Sequence, residues 1–161
     1  RKTISHNTVE IDGKDSSQVW SSFRVAKRAK IIDRKSRIEK NSSIFLRGAH
    51  NGYNSLIKKC THSREIIFNK SSLNVKDEII GNFKEAIARF YIHPDMKVSI
   101  KKNALIIIGK NFNLDSNLKD INASLMDSEW SPSFGLNIPN KVLELKFKNS
   151  VSEVKFNWRK F

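Results

Sequence analysis

Four histidines, one cysteine and a long basic run are the parts of this sequence whose side chains could do chemistry. His6 leads them, set between Ser5 and Asn7 in RKTISHNTVEIDG, where the alternation of residue types reads as a β-strand. A neutral imidazole there can ligate zinc through one nitrogen while the other takes a hydrogen bond. It can equally be a packed, hydrogen-bonded strand residue, the commoner use of a lone histidine. His50 in AHNGY and His62 in THSRE read as structural, and His93 before Pro94 reads as a strand end. Cys60 has no second cysteine, so neither an internal disulfide nor a thiolate metal site can form. The run FRVAKRAKIIDRKSR could contact phosphates. Its cations alternate, however, with Val25, Ala26, Ala29, Ile31 and Ile32 as on a solvated strand face, with Trp20 and Phe23 packed rather than stacking on bases. No G-x-S-x-G, phosphate-binding glycine loop or H-E-x-x-H occurs.

The elements that must position these groups follow from period two. In KVLELKFKN the apolar Leu143, Leu145 and Phe147 alternate with Glu144, Lys146 and Lys148, and VKFNW and KVSIK repeat the pattern. One face is packed and the other wet, as in antiparallel sheets. TISHNTVEI, AKIIDR, SIFLRG, SREIIF and ALIII are further strands, with turn signals at Asp12-Gly13 and Asn51-Gly52. Together they predict a sandwich. Residues 75–92 fit two templates: an amphipathic helix ended by Pro94, weakened by Gly81, or two strands joined near Gly81-Asn82. The stretch 111–135 has no clear period and reads as long loops.

Thirty Lys and Arg against sixteen Asp and Glu give a formal charge of +14, which favours an acidic partner: nucleic acid, an anionic lipid surface or an acidic polysaccharide. At 161 residues one domain can bury roughly two thirds of its unfolded surface. The longest apolar run, ALIIIG at 104–109, is far too short to span a bilayer as a helix.

The first thirty residues resemble the heparinase II/III family of bacterial polysaccharide lyases. The family string R-S-T-x-x-H-N-T-V-x-V-D-G is met by Arg1, Thr3, His6, Asn7, Thr8, Val9, Asp12 and Gly13. Asp15, Ser17 and Trp20 then match its D-Q-S-x-x-W, and Phe23, Arg24, Lys27, Arg28 and Ala29 its F-R-x-x-R-R-A. AHNGYNSL is similar to an H-D-G-Y stretch with Asn51 in place of the acid, and THSREIIF to an H-R-R-E segment with Ser63 where arginine is usual. The resemblance also tips residues 75–92 to strands.

The resemblance implies an all-β fold, an antiparallel β-sandwich of the supersandwich type. Residues 1–161 would form the C-terminal domain of a two-domain enzyme whose catalytic α/α toroid lies N-terminal to it. Such enzymes cleave uronic-acid polysaccharide, heparin or heparan sulfate-like glycans among them, by β-elimination. The uronate carboxylate is neutralised, a tyrosine or histidine takes the C5 proton, and a tyrosine protonates the leaving O4. The base and acid are expected in the toroid, so no catalytic residue is expected in this chain, and alone it should be inactive. His6 would be one zinc ligand, its partners lying in a His-x-His and an Asp-Pro-Gly segment expected upstream of Arg1. Arg24, Lys27 and Arg28 are the candidates for contacting carboxylate or sulfate by charge-assisted hydrogen bonds. Acidic polysaccharide and the toroid are the expected partners, a bacterial periplasmic or secreted location is expected, and nucleic acid is disfavoured. The alternative is a non-catalytic carbohydrate-binding or scaffold sandwich.

Overall fold

The alternation that marks Val142 to Phe147 governs the whole molecule. In a computed structural model, which describes residues 2–21, 24–40, 42–54 and 59–160, every strand pairing is antiparallel. A three-residue 3-10 turn, Thr3–Ser5, precedes β1 (Val9–Ile11). β2 (Val19–Ser21) and β3 (Arg24–Val25) form a small ribbon. A meander follows: β4 (Ile31–Ile38), β5 (Ile44–Tyr53), β6 (Cys60–Phe68) and β7 (Ser72–Ile80). The chain continues as β8 (Ala86–Ile92), β9 (Lys97–Lys101), β10 (Ala104–Ile108), β11 (Phe112–Asn117), β12 (Asn122–Ser133), β13 (Leu136–Lys146) and β14 (Val151–Lys160). No helix among the described residues is long and apolar enough to cross a membrane.

Two sheets share one core. The smaller runs β1-β8-β13-β12 and the larger β4-β5-β6-β7-β14-β11-β10-β9. Val9, Ile11, Ala88, Leu143 and Leu145 from the first pack with Tyr53, Val75, Ile79, Leu105, Val154 and Phe156 from the second in a single buried cluster. Phe90 meets Phe156 edge to face across the layers, with centroids 5.4 Å apart. This is the expected antiparallel sandwich.

Residues 75–92 are strands, yet the two belong to different sheets. The 81–85 segment carries the chain across, and two features hold it. Gly81 has φ +124°, a conformation that disfavours side chains, and a Cβ there would stand 2.8 Å from the Lys59 carbonyl oxygen. The Asp12 carboxylate accepts the Lys84 and Glu85 amides at 2.8 and 2.9 Å. Asp12 and Gly13 themselves turn with φ of 52° and 64°, closing Lys14 N–H onto the Ile11 carbonyl at 3.0 Å, as a two-residue hairpin turn requires.

Three expectations are corrected. Residues 111–135 hold β11 and β12 rather than loops. β12 is the edge of the smaller sheet and has no fully buried position: half-buried Ala123 and Leu125 alternate with exposed Asn122, Ser124 and Met126, but the pattern lapses from Asp127 on, which is too little for the period to mark the strand. Asn51-Gly52 is no hairpin turn; it lies inside β5 at an irregularity between His50 and Tyr53, where Asn51 bonds Lys30 instead. The opening strand is only Val9–Ile11, because residues 3–5 coil into the 3-10 turn first.

The larger sheet outreaches the smaller. Cross-strand pairing sets Ile38, Ile44, Phe68, Leu73 and Phe156 in one row on the core face. Exposure along that row is 79 % at Ile38, 39 % at Ile44, 44 % at Phe68 and 5 % at Phe156, so the face emerges from under the smaller sheet towards β4.

Candidate functional site

His6 stands just after the 3-10 turn, its amide bonded to the Thr3 carbonyl at 3.2 Å, and its side chain is exposed. It is therefore a residue of an extended loop entering β1, not of a strand. Its neighbours clamp that loop. Asn7 Oδ1 accepts the Tyr91 amide at 2.8 Å, the Thr8 carbonyl accepts the Arg89 amide at 3.0 Å, and the Tyr91 hydroxyl donates to the Ile4 carbonyl. His6, Asn7, Tyr91, Glu129 and Trp130 line a groove of about 730 Å³ between the loop, β8 and β12. His93, at the end of β8 as expected, rests against the Trp130 ring with centroids 4.8 Å apart.

Beneath the loop lies a buried polar chain that sequence reasoning did not assemble. Arg64 donates through Nε and Nη2 to the two Asp77 oxygens at 2.7 and 2.8 Å, and through Nη1 to the Asn7 carbonyl at 2.6 Å. Asp77 also accepts from His62 Nε2 at 2.7 Å. The Gly52 amide donates to His50 Nδ1 at 3.2 Å, which leaves His50 Nε2 to donate to His62 Nδ1, also at 3.2 Å. Every link then has one donor and one acceptor with both imidazoles neutral. Burial, and then the neighbouring His62, push His50 down to about 4. Burial alone would raise the Asp77 carboxyl, but the hydrogen bonds from His62 and Arg64 and the guanidinium charge outweigh it and hold it below the usual carboxylate range. His50 and His62, expected to be structural, form the hydrogen-bonded chain that anchors Asp77. The signal was parity: His62 and Arg64 are two apart on β6, and register puts Arg64 opposite Asp77.

The basic candidates divide. Lys27 and Arg28 join Lys14 and Lys30 around a groove of about 1000 Å³ that Asp15, Asn51 and Gly52 also line. Gly52 makes this possible, since a Cβ there would run into Ser16 and come within 2.9 Å of the Ala29 Cβ. Arg24 is not in that groove; it lies on the short ribbon with its guanidinium 5.2 Å from the Trp20 ring centroid. Trp20 is 63 % exposed, which corrects the expectation that it is packed. Arg1 and Phe23 lie outside the described residues. The groove of Lys27 and Arg28 shares no lining residue with that of His6.

Zinc does not find its ligands here. Among the described residues no group of three His, Cys, Asp or Glu side chains is placed to hold a metal ion, and only Glu129 shares the His6 groove as a further donor of that kind. The residues present thus do not fit a four-coordinate zinc site by themselves.

The family model "Heparinase II/III-like, C-terminal" matches residues 1–159. No curated protein matches the sequence. Among solved structures, the heparan sulfate lyase HepC from Pedobacter heparinus superposes with a TM-score of 0.72 at 19 % identity, over 99 % of this chain and 25 % of that one. A mutant of the same enzyme gives 0.69 at 18 %, with the same coverages. A heparinase III, the BT4657 gene product, gives 0.71 at 13 % identity, over 100 % of this chain and 24 % of that one. At these identities the likeness shows the fold, and the chain spans about a quarter of the length of these structures.

Proposed function

The chain belongs to the heparinase II/III-like C-terminal family, and on that premise we propose that it is the C-terminal β-sandwich of a polysaccharide lyase acting on acidic, uronate-containing polysaccharide of the heparan sulfate kind. The observation that carries this reading is the family match over residues 1–159, supported by the likeness in fold to a heparan sulfate lyase and a heparinase III.

The division of labour follows from chemistry. β-Elimination needs a base at C5, an acid at O4 and a neutralising group at the carboxylate. We assign the base and acid to an N-terminal α/α toroid. To this chain we assign the holding of the polymer: Lys27 and Arg28, with Lys14 and Lys30, take carboxylate or sulfate groups by charge-assisted hydrogen bonds. Arg24 has a secondary part at the edge, on Trp20. His6 presents its imidazole to the second groove, on a loop that Arg64 and Tyr91 keep fixed. A bacterial periplasmic or secreted location belongs to the same reading, because a polymer of this size is met outside the cytoplasm.

The test is incubation of the protein joined to its toroid with heparan sulfate, following the ultraviolet absorbance of unsaturated uronate. A rise is expected with the joined protein and none with the 161 residues alone. Absence of any rise with the joined protein overturns the lyase reading in favour of a carbohydrate-binding sandwich.

A further inference from the structure

A third groove lies where the core face of the larger sheet emerges from under the smaller. Phe68 and Trp158 stack there with centroids 5.4 Å apart at 29°, and Phe112 and Leu114 extend the apolar floor of about 830 Å³. The platform is built in advance. Trp158 Nε1–H donates to the Lys70 carbonyl at 3.0 Å, which fixes the indole, and Asn69 Oδ1 accepts the Ser71 and Ser72 amides at 3.0 and 2.8 Å, which fixes the turn carrying Lys70. Lys70 and Lys160 also line it, and among the described residues no carboxylate does.

From this arrangement we propose a second binding site, for an acidic oligosaccharide segment, separate from the grooves of His6 and Lys27. Rigid aromatic faces suit the apolar C–H faces of sugar rings, at little entropic cost to the protein. Two ammonium groups without an acidic neighbour in the lining suit carboxylate or sulfate. An uncharged apolar ligand would leave those ammonium groups unused, which favours an anionic one. Stacked nucleobases would also suit rings beside lysines; the choice of saccharide rests on the proposed function. Such a site would let the domain hold a long polymer at a point away from the bond being cut.

The experiment titrates the protein with a heparin-derived octasaccharide, in a Lys27→Gln/Arg28→Gln background that removes the other basic groove. The fluorescence quenching that disappears in Trp158→Phe isolates the signal of Trp158. Quenching is expected, and Lys70→Gln/Lys160→Gln, both in the lining, should weaken it about tenfold with unchanged melting temperature. Unchanged affinity in that double variant overturns the proposal. So does equal binding of neutral maltooctaose, tighter binding of a single-stranded oligonucleotide, or light scattering that shows a dimer lost in Phe68→Ala. Binding is read without turnover, so a missing lyase activity counts against the proposed function and leaves this site standing.

Discussion

Arg64 grips both carboxylate oxygens of Asp77, at 2.7 and 2.8 Å, and with its remaining nitrogen holds the Asn7 carbonyl at 2.6 Å. One guanidinium thus joins the core face of the larger sheet to the loop that presents His6. The Asp77 side chain is 2 % exposed and that of Arg64 18 %, so the pair is made largely out of water.

Removing one partner strands the other. Arg64→Ala leaves Asp77 buried with only His62 as a donor, and breaking a buried pair in this way costs about 3–5 kcal/mol. Urea unfolding should show a loss of that order, and the His6 loop should become more open to proteolysis. A loss under about 1 kcal/mol would show that the pair adds little.

Acid should loosen the same region. His50 is held down to about 4 in the fold against an unfolded value near 6.5. Between those values the unfolded chain binds more protons than the folded one, so stability falls as pH drops through that window and flattens below it. Asp77, depressed in the fold, contributes stability that is present above its unfolded value and lost as pH falls through its folded one, adding to the decline at the acid end. Melting temperatures from pH 7 to 4 should fall, and less steeply in His50→Gln; parallel slopes would remove His50 from the account.

Binding of heparan sulfate should separate the basic residues. Lys27→Gln/Arg28→Gln, inside the groove, should weaken binding about tenfold at low salt, with the difference shrinking as salt is raised. Arg24→Gln, outside it on Trp20, should change affinity less than twofold. Isothermal titration of the two variants reverses the assignment if Arg24 proves the stronger.

Metal content tests His6. If its imidazole completes a zinc site with ligands supplied by the remainder of a longer protein, that protein should hold about one zinc per chain and lose it in His6→Ala, together with some thermal stability. The 161-residue chain should hold none tightly. Equal zinc in the longer protein and its His6→Ala variant would leave His6 as a groove residue only.

Much of the fold was legible in the sequence, and the reason is local. Leu143, Leu145 and Phe147 alternate with charges because one face of β13 packs and the other is wet, and Asp12-Gly13 turns because both residues tolerate positive φ. The first thirty residues also pointed to the family. Where local rules failed, the sequence was ambiguous for a physical cause. β12 hides its period because this edge strand buries no residue fully and its alternation lapses after Met126, and Asn51-Gly52 mimics a turn while its glycine serves to admit Ser16. The site was beyond reach for another reason. Arg64 and Asp77 meet across strands whose register is decided by burial of the whole core, as do Phe68 and Trp158, and the Asn7 loop and the Lys14 and Lys27 segments are brought to their places only by the same closure. Residue types are written along the chain, but which side chains face each other is settled only when two sheets close on one apolar layer.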